Sequence, residues 1–294
     1  MKWLVIQSDG YHKGQDGWTP NWYMRECYSI KYALEQNGVK CDIWGKGHSN
    51  FSSVPNFEEY DVIFCIENYD FAWIPSLAHV KSTKIYWTID LHCQNLSVYS
   101  NAIRDFDVVF HSTKQLIPLL KNTHPDKNHI YFPNGHDDRY FKKYSVPKTR
   151  DFAFVGSKIR CRKDFIERLE KECGLNYFFA TGRDMLEAIS SVKIHFNQSI
   201  SCDVNYRNFE TIGLGTCLLT NRLEELESLG FVDGVNCLMY DSYDEAVSKY
   251  RNAIFSGSWT DIGAAGLDLA KNHTYTRRIK DAITEIEKCK GVKK

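Results

Sequence analysis

The chain has 294 residues, of which 43% are hydrophobic, 25% charged and 14% aromatic, with 37 basic residues against 37 acidic ones. That length predicts two domains of ordinary size, and the composition excludes a disordered, collagen-like or coiled-coil chain. The charge balance holds in each half of the sequence, which argues against a protein that binds by tracking a phosphate backbone.

The first apolar run, Met1 to Ile6, turns polar at Gln7. It is too short for a signal-peptide core and predicts a first β-strand at 2–7. Further strands are expected at 39–44, 61–66, 84–88 and 107–110, then at 151–155, 175–179, 192–196, 216–220 and 236–239. Most are unbroken β-branched or aromatic runs, as in parallel strands buried on both faces. Helices are expected at 21–37, 113–121, 161–172, 183–190, 205–213, 222–229 and 243–255, with a last one from His273 onward. This alternation predicts an α/β fold of two doubly wound, Rossmann-like parallel sheets. The pattern pauses at 133–150, a polar stretch containing Pro133-Asn134-Gly135 and Pro147. The expected domains are therefore 1–148 and 149–272, followed by the terminal helix 273–294.

No apolar run approaches the roughly 20 residues of a membrane span. Ten cysteines are scattered without a CxxC pair or zinc-ligand spacing, which predicts free thiols, no bound metal and a cytoplasmic location.

Four stretches carry candidate chemistry. Phe152-Ala153-Phe154-Val155-Gly156-Ser157, followed by Arg160, Arg162 and Lys163, runs a strand into a glycine turn and a basic helix start. Such a turn can hold a phosphate, although an ordinary βα turn reads the same way. Asn205 to Gly215 places Arg207 and Glu210 three residues apart on a helix, one face presenting a guanidinium and a carboxylate. The first suits a diphosphate and the second a ribose; a surface ion pair is the plainer alternative. Tyr86-Trp87-Thr88-Ile89-Asp90-Leu91-His92 delivers Asp90 and His92 past a strand end. They are either an acid/base or sugar-contacting pair or a capping aspartate and a structural histidine. Ser8-Asp9-Gly10-Tyr11, with Gly14 and Gly17 beyond, is a glycine-bearing loop after the first strand. Such a loop often lines a cleft, which makes Asp9 and Tyr11 candidate acceptor contacts, or it is a flexible loop with no chemistry. Asp105-Phe106-Asp107 has the DxD spacing of some metal sites but precedes its strand, so no metal role is assigned to it.

In this order the stretches resemble a GT-B glycosyltransferase, of the CgeB-like, spore-maturation type related to glycosyltransferase family 4. The resemblance spans roughly residues 80–280. It rests on Trp87-Thr88-Ile89-Asp90-Leu91-His92, on Asp107-Val108-Val109-Phe110-His111-Ser112-Thr113, and on Tyr131-Phe132-Pro133-Asn134-Gly135-His136-Asp137 with Phe141. It continues through Phe154-Val155-Gly156-Ser157 with Arg162, His195-Phe196-Asn197-Gln198-Ser199, Asn205 to Gly215, and His273-Thr274-Tyr275 with Arg278. It implies an acceptor-binding first domain, a second domain binding a nucleoside-diphosphate sugar (a UDP-sugar favoured) as co-substrate, and no bound metal or cofactor. The terminal helix would return to the first domain. By the same resemblance Glu210 binds the ribose, Gly215 closes that motif, and Gly156, Ser157, Arg162, Asn197 and Arg207 line the donor site. His92 lies near the donor sugar. Family 4 usually has a second glutamate eight residues before the ribose glutamate; here that position is Cys202, beside Asp203. An inverting reaction would then take Asp90 as its base. The acceptor is a small molecule, a glycan, a protein or a modified DNA base. A catalytically weak nucleotide-sugar-binding or regulatory protein of the same fold is the alternative.

Overall fold

The computed structural model describes residues 1–9, 24–68, 72–93, 95–159 and 162–291. Tyr11, with the glycines beside it, and Arg160 lie outside the described residues. The chain divides into two compact units, Met1–Pro133 with Tyr275–Lys294, and Asn134–Thr274.

The first unit is built on β1 (Lys2–Ile6), β2 (Lys40–Trp44), β3 (Val62–Ile66), β4 (Thr83–Thr88), β5 (Val108–His111) and β6 (Asn128–Tyr131). These strands are parallel, in the order β2-β1-β3-β4-β5-β6. Successive residues alternate between two covered faces. Leu4, Ile6, Ile63, Cys65, Tyr86 and Val109 enter one core. Trp3, Phe64, Trp87 and Phe110 point the other way, and Phe132 stacks on Phe110 at 4.8 Å. Helices α1 (Glu26–Gln36), α2 (Leu96–Ala102) and α3 (Ile117–Thr123) connect the strands, and α10 (Tyr275–Gly291) packs against α1. The Asn37 amide, which caps α1, donates to Thr276 O at 3.0 Å.

The second unit carries β7 (Arg150–Val155), β8 (Asn176–Phe178), β9 (Val192–Asn197), β10 (Cys217–Asn221) and β11 (Leu238–Tyr240), all parallel, in the order β11-β10-β9-β7-β8. Helices α4 (Arg162–Cys173) and α8 (Tyr243–Ser256) cover the face bearing Phe152, Phe154, Ile194 and Phe196. Helices α6 (Tyr206–Gly213), α7 (Glu224–Ser228) and α9 (Trp259–Ala270) cover the other, around Phe209, Ile212, Leu218 and Met239. Helix α5 (Gly182–Ser190) precedes β9.

One difference from the sequence expectation bears on organisation. The 134–148 stretch belongs to the second unit, where the Asn134 amide donates to Val204 O at 3.1 Å and His136 N donates to His273 O at 3.1 Å. The DxD carboxylates serve the fold. Asp105 accepts from Ser76 Oγ and Leu77 N, and Asp107 accepts from Lys84 N at 2.9 Å.

Candidate functional site

In an open α/β sheet, ligands bind beyond the carboxyl ends of the strands where the strand order reverses. In the second unit that point lies between β7 and β9, because β8 follows β7 on one side and β9 lies on the other. Val155 ends β7, and Gly156 turns away with φ +155°, which side chains rarely tolerate. Gly156 N donates to Phe178 O at 3.0 Å. Half-buried Ser157 follows Gly156 in this turn, and half-buried Arg162 is the first residue of α4.

Asn197 ends β9 and is buried. Its amide donates to Asn208 Oδ1 at 2.9 Å and lies near Asn205 and Thr220, tying the strand end to the first turn of α6. Asn205 caps α6 by accepting from Arg207 N at 3.1 Å. Arg207 Nη1 donates to Glu210 Oε2 at 2.5 Å, and the two side chains keep only 18% and 15% of their exposure. This is therefore not the freely solvated pair of a helix surface. His195, one residue pair before the end of β9, hydrogen-bonds Val155 N and Thr211, so the β7 turn and α6 are held as neighbours. Gly215 leaves α6 with φ +71°. The connection from β9 to α6 holds Ser201 at φ +57°, with half-buried Cys202 and buried Asp203 next to it.

In the first unit the order reverses between β1 and β3. Asp9 follows β1 and accepts from Tyr28 Oη at 2.9 Å. Burial and this bond push the Tyr28 phenol upward. Asp90 and His92 follow β4 and are half-buried. Between them in space, the end of β3 carries a pair that sequence reasoning passed over, Glu67 and Asn68. Asn68 Oδ1 accepts from Ser8 N at 2.9 Å. Glu67 Oε2 accepts from Ile89 N at 2.5 Å and Asp90 N at 2.9 Å, and its Oε1 accepts from Tyr99 Oη at 2.6 Å. Burial, with the Asp90 charge adding to it, pushes the Glu67 carboxyl up to about 7 against the pull of these bonds. The pair thus links the loop bearing Asp9 to the loop bearing Asp90. Its signal in the sequence was two polar residues directly after a five-residue apolar strand.

Among the described residues no group of three or more His, Cys, Asp or Glu side chains is placed to hold a metal ion. No helix among them is long and apolar enough to cross a membrane.

Residues 147–284 match a family described as glycosyl transferase-like. No curated protein matches the sequence. Among solved structures, the chain is similar to Anabaena HepE in complex with UDP and glucose, at 13% identity and TM-score 0.63, covering 98% of this chain and 100% of that one. It is similar to the DNA modifying enzyme beta-glucosyltransferase at 14% identity and TM-score 0.69, over 97% and 99% of the two chains. It is also similar to an alpha-glucosyltransferase in complex with UDP-glucose and DNA containing an abasic site, at 11% identity and TM-score 0.68, over 98% and 99%. With its two parallel, Rossmann-like sheets, the chain has the GT-B fold, and the stretch that forms its second sheet is similar to the glycosyl transferase-like family.

Proposed function

We propose that the protein is a glycosyltransferase that moves a sugar from a nucleoside-diphosphate sugar, a UDP-sugar by preference, to an acceptor hydroxyl. The observation that carries this reading is the set of groups at the reversal of the second sheet. A glycine turn, the buried amide of Asn197 and the Arg207–Glu210 pair meet where a nucleotide binds in such sheets. In this reading Glu210 accepts the ribose hydroxyls. Arg207, Arg162 and the Gly156–Ser157 turn hold the leaving diphosphate, the cationic groups taking up its charge, which is how such a site works without a metal. Gly215 lets α6 end close to β10. Asp9 and Tyr11 contact the acceptor, and His92 contacts the donor sugar.

In an inverting reaction Asp90 accepts the proton of the acceptor hydroxyl as its oxygen attacks the anomeric carbon. The bond from that carbon to the diphosphate breaks, and the electron pair leaves with the diphosphate. The order of its motifs supports a CgeB-like type within this reading. Eight free thiols among the described residues favour the cytoplasm. The acceptor is a small molecule, a glycan, a protein or a modified DNA base. Two of the similar structures name DNA as an enzyme's target or bound partner, whereas the neutral charge of this chain favours a compact acceptor.

Thermal unfolding with UDP, GDP, ADP, CDP and dTDP tests the reading. A ligand at about 100 times its dissociation constant adds about 2.7 kcal/mol, enough to raise the midpoint by several degrees. A selective rise with one diphosphate is expected, and no rise with any of them sinks the proposal. Slow hydrolysis of the matching sugar donor, followed by chromatography, separates an enzyme from a binding protein of the same fold.

A further inference from the structure

His195 is fully buried on β9, with both ring nitrogens engaged. The backbone N–H of Val155 donates to Nε2 at 3.2 Å. A peptide N–H can only donate, so Nε2 carries the lone pair and the proton of the neutral ring stands on Nδ1. Nδ1 lies 2.8 Å from Thr211 Oγ1 and donates to it. The Thr211 hydroxyl in turn donates to Arg207 O one helical turn back, at 2.6 Å, a carbonyl oxygen that can only accept. The three bonds run in one direction, from the last residue of β7 to the first turn of α6. Burial, reinforced by the Arg207 guanidinium, disfavours the charged ring. A buried imidazole costs desolvation that an apolar side chain avoids, so its presence between two candidate binding elements calls for a reason.

We propose that His195 is a positioning residue of the donor site. Its relay sets the first turn of α6 against the Gly156–Ser157 turn, so that Arg207 and that turn address the same diphosphate while Glu210 holds the ribose. The inference rests on the donor reading above. A relay that only held the fold together would act on stability. A relay that sets spacing also acts on ligands that bridge both elements and spares those that touch one.

The test uses the whole chain and two variants. Thr211→Val keeps the β-branched shape and removes the hydroxyl, whereas Thr211→Ser keeps the hydroxyl. By calorimetry, UDP should bind Thr211→Val about tenfold more weakly, the worth of one buried hydrogen bond, and Thr211→Ser as tightly as the parent. Uridine, which leaves the turn empty, should bind all three alike. Equal UDP binding by Thr211→Val, failure of serine to restore it, or a parallel loss for uridine overturns the proposal. The tautomer is read separately in the unmodified protein by ¹⁵N NMR of the histidine rings. His195 should be protonated at Nδ1 and bare at Nε2 through neutral pH. The other tautomer, or a titrating ring, overturns the relay even where Thr211→Val does not fold. If the parent binds none of the nucleoside diphosphates while the tautomer is as expected, the donor reading has failed. The relay is then a fold contact, and the positioning role falls with it.

Discussion

Arg207 and Glu210 are drawn together by charge, yet each is proposed to serve a different part of one ligand. Their meeting was legible from sequence, because three-residue spacing on a helix puts two side chains on one face. What the spacing could not give was burial, to which Met185 on α5 contributes by meeting the Arg207 guanidinium. Burial makes the pair consequential. Glu210→Ala removes the ribose acceptor and leaves a mostly buried guanidinium without its partner. A hydrogen bond to a charged group is worth about 1.5–3 kcal/mol, so UDP affinity should fall by roughly ten- to a hundredfold. Unchanged affinity by calorimetry would refute the ribose assignment. Glu67 is the opposite case: its role comes from Ile89, Asp90 and Tyr99, all distant in sequence. Its pKa rises from 4.5 to about 7 on folding. The folded state therefore holds the proton more tightly than the unfolded state. The stability this contributes is complete below about pH 4.5 and is lost as pH rises through about 7. Glu67→Gln cannot ionise, yet its carbonyl can still accept the two amides. Its urea midpoint should vary less between pH 5 and 8 than that of the parent, and an identical pH dependence would show that Glu67 does not titrate in that window.

At the scale of elements, the strands were the most legible part of the fold, because buried parallel strands are continuous apolar runs. The ten expected strands form within two residues of their expected ends. Strand β6, Asn128–Tyr131, was missed because Asn-His-Ile-Tyr is an edge strand with no fully buried residue. Helix α2 was missed because Leu-Ser-Val-Tyr-Ser-Asn-Ala is short and rich in weak helix formers. Helix α9 contains Gly263 and Gly266, which read as breakers. The structure gives those glycines a packing role. A Cβ on Gly263 would lie 2.9 Å from Gly215 O, and one on Gly266 would lie 2.8 Å from Asn236 O. Each neighbour is backbone and cannot rotate away. Gly263→Ala gains up to about 1 kcal/mol of helix propensity but overpacks a close contact, at about 1–3 kcal/mol. The second term wins, so the melting midpoint should fall. A stabilised Gly263→Ala would mean that α9 can move off the α6 exit at little cost.

For the whole molecule, local pattern announced a pause near 133–150 but not which side that stretch packs on. Its bonds go to Val204 and His273, partners that turn-forming residues do not reveal. The first unit is discontinuous: its sheet comes from the first 133 residues, and α10 comes from the other end of the chain. Tyr275, Ile279, Ala282 and Ile286 are buried on α10, while α1 buries Cys27, Ile30, Ala33 and Leu34. Full burial of one large apolar side chain is worth about 1.5–3 kcal/mol, and a domain is stable by only about 5–15 kcal/mol. Ending the chain after Thr274 therefore removes a stabilisation comparable to the whole margin of the first unit, although every strand of its sheet remains. Amide exchange should show β1 and β3 losing protection in the truncated chain, while β7 and β9, strands of the second unit, keep theirs. Protection retained in β1 would mean that the sheet and its own crossover helices suffice. The expected loss would mean that the first unit is completed only when the last residues have been made, after the second unit has its whole sequence.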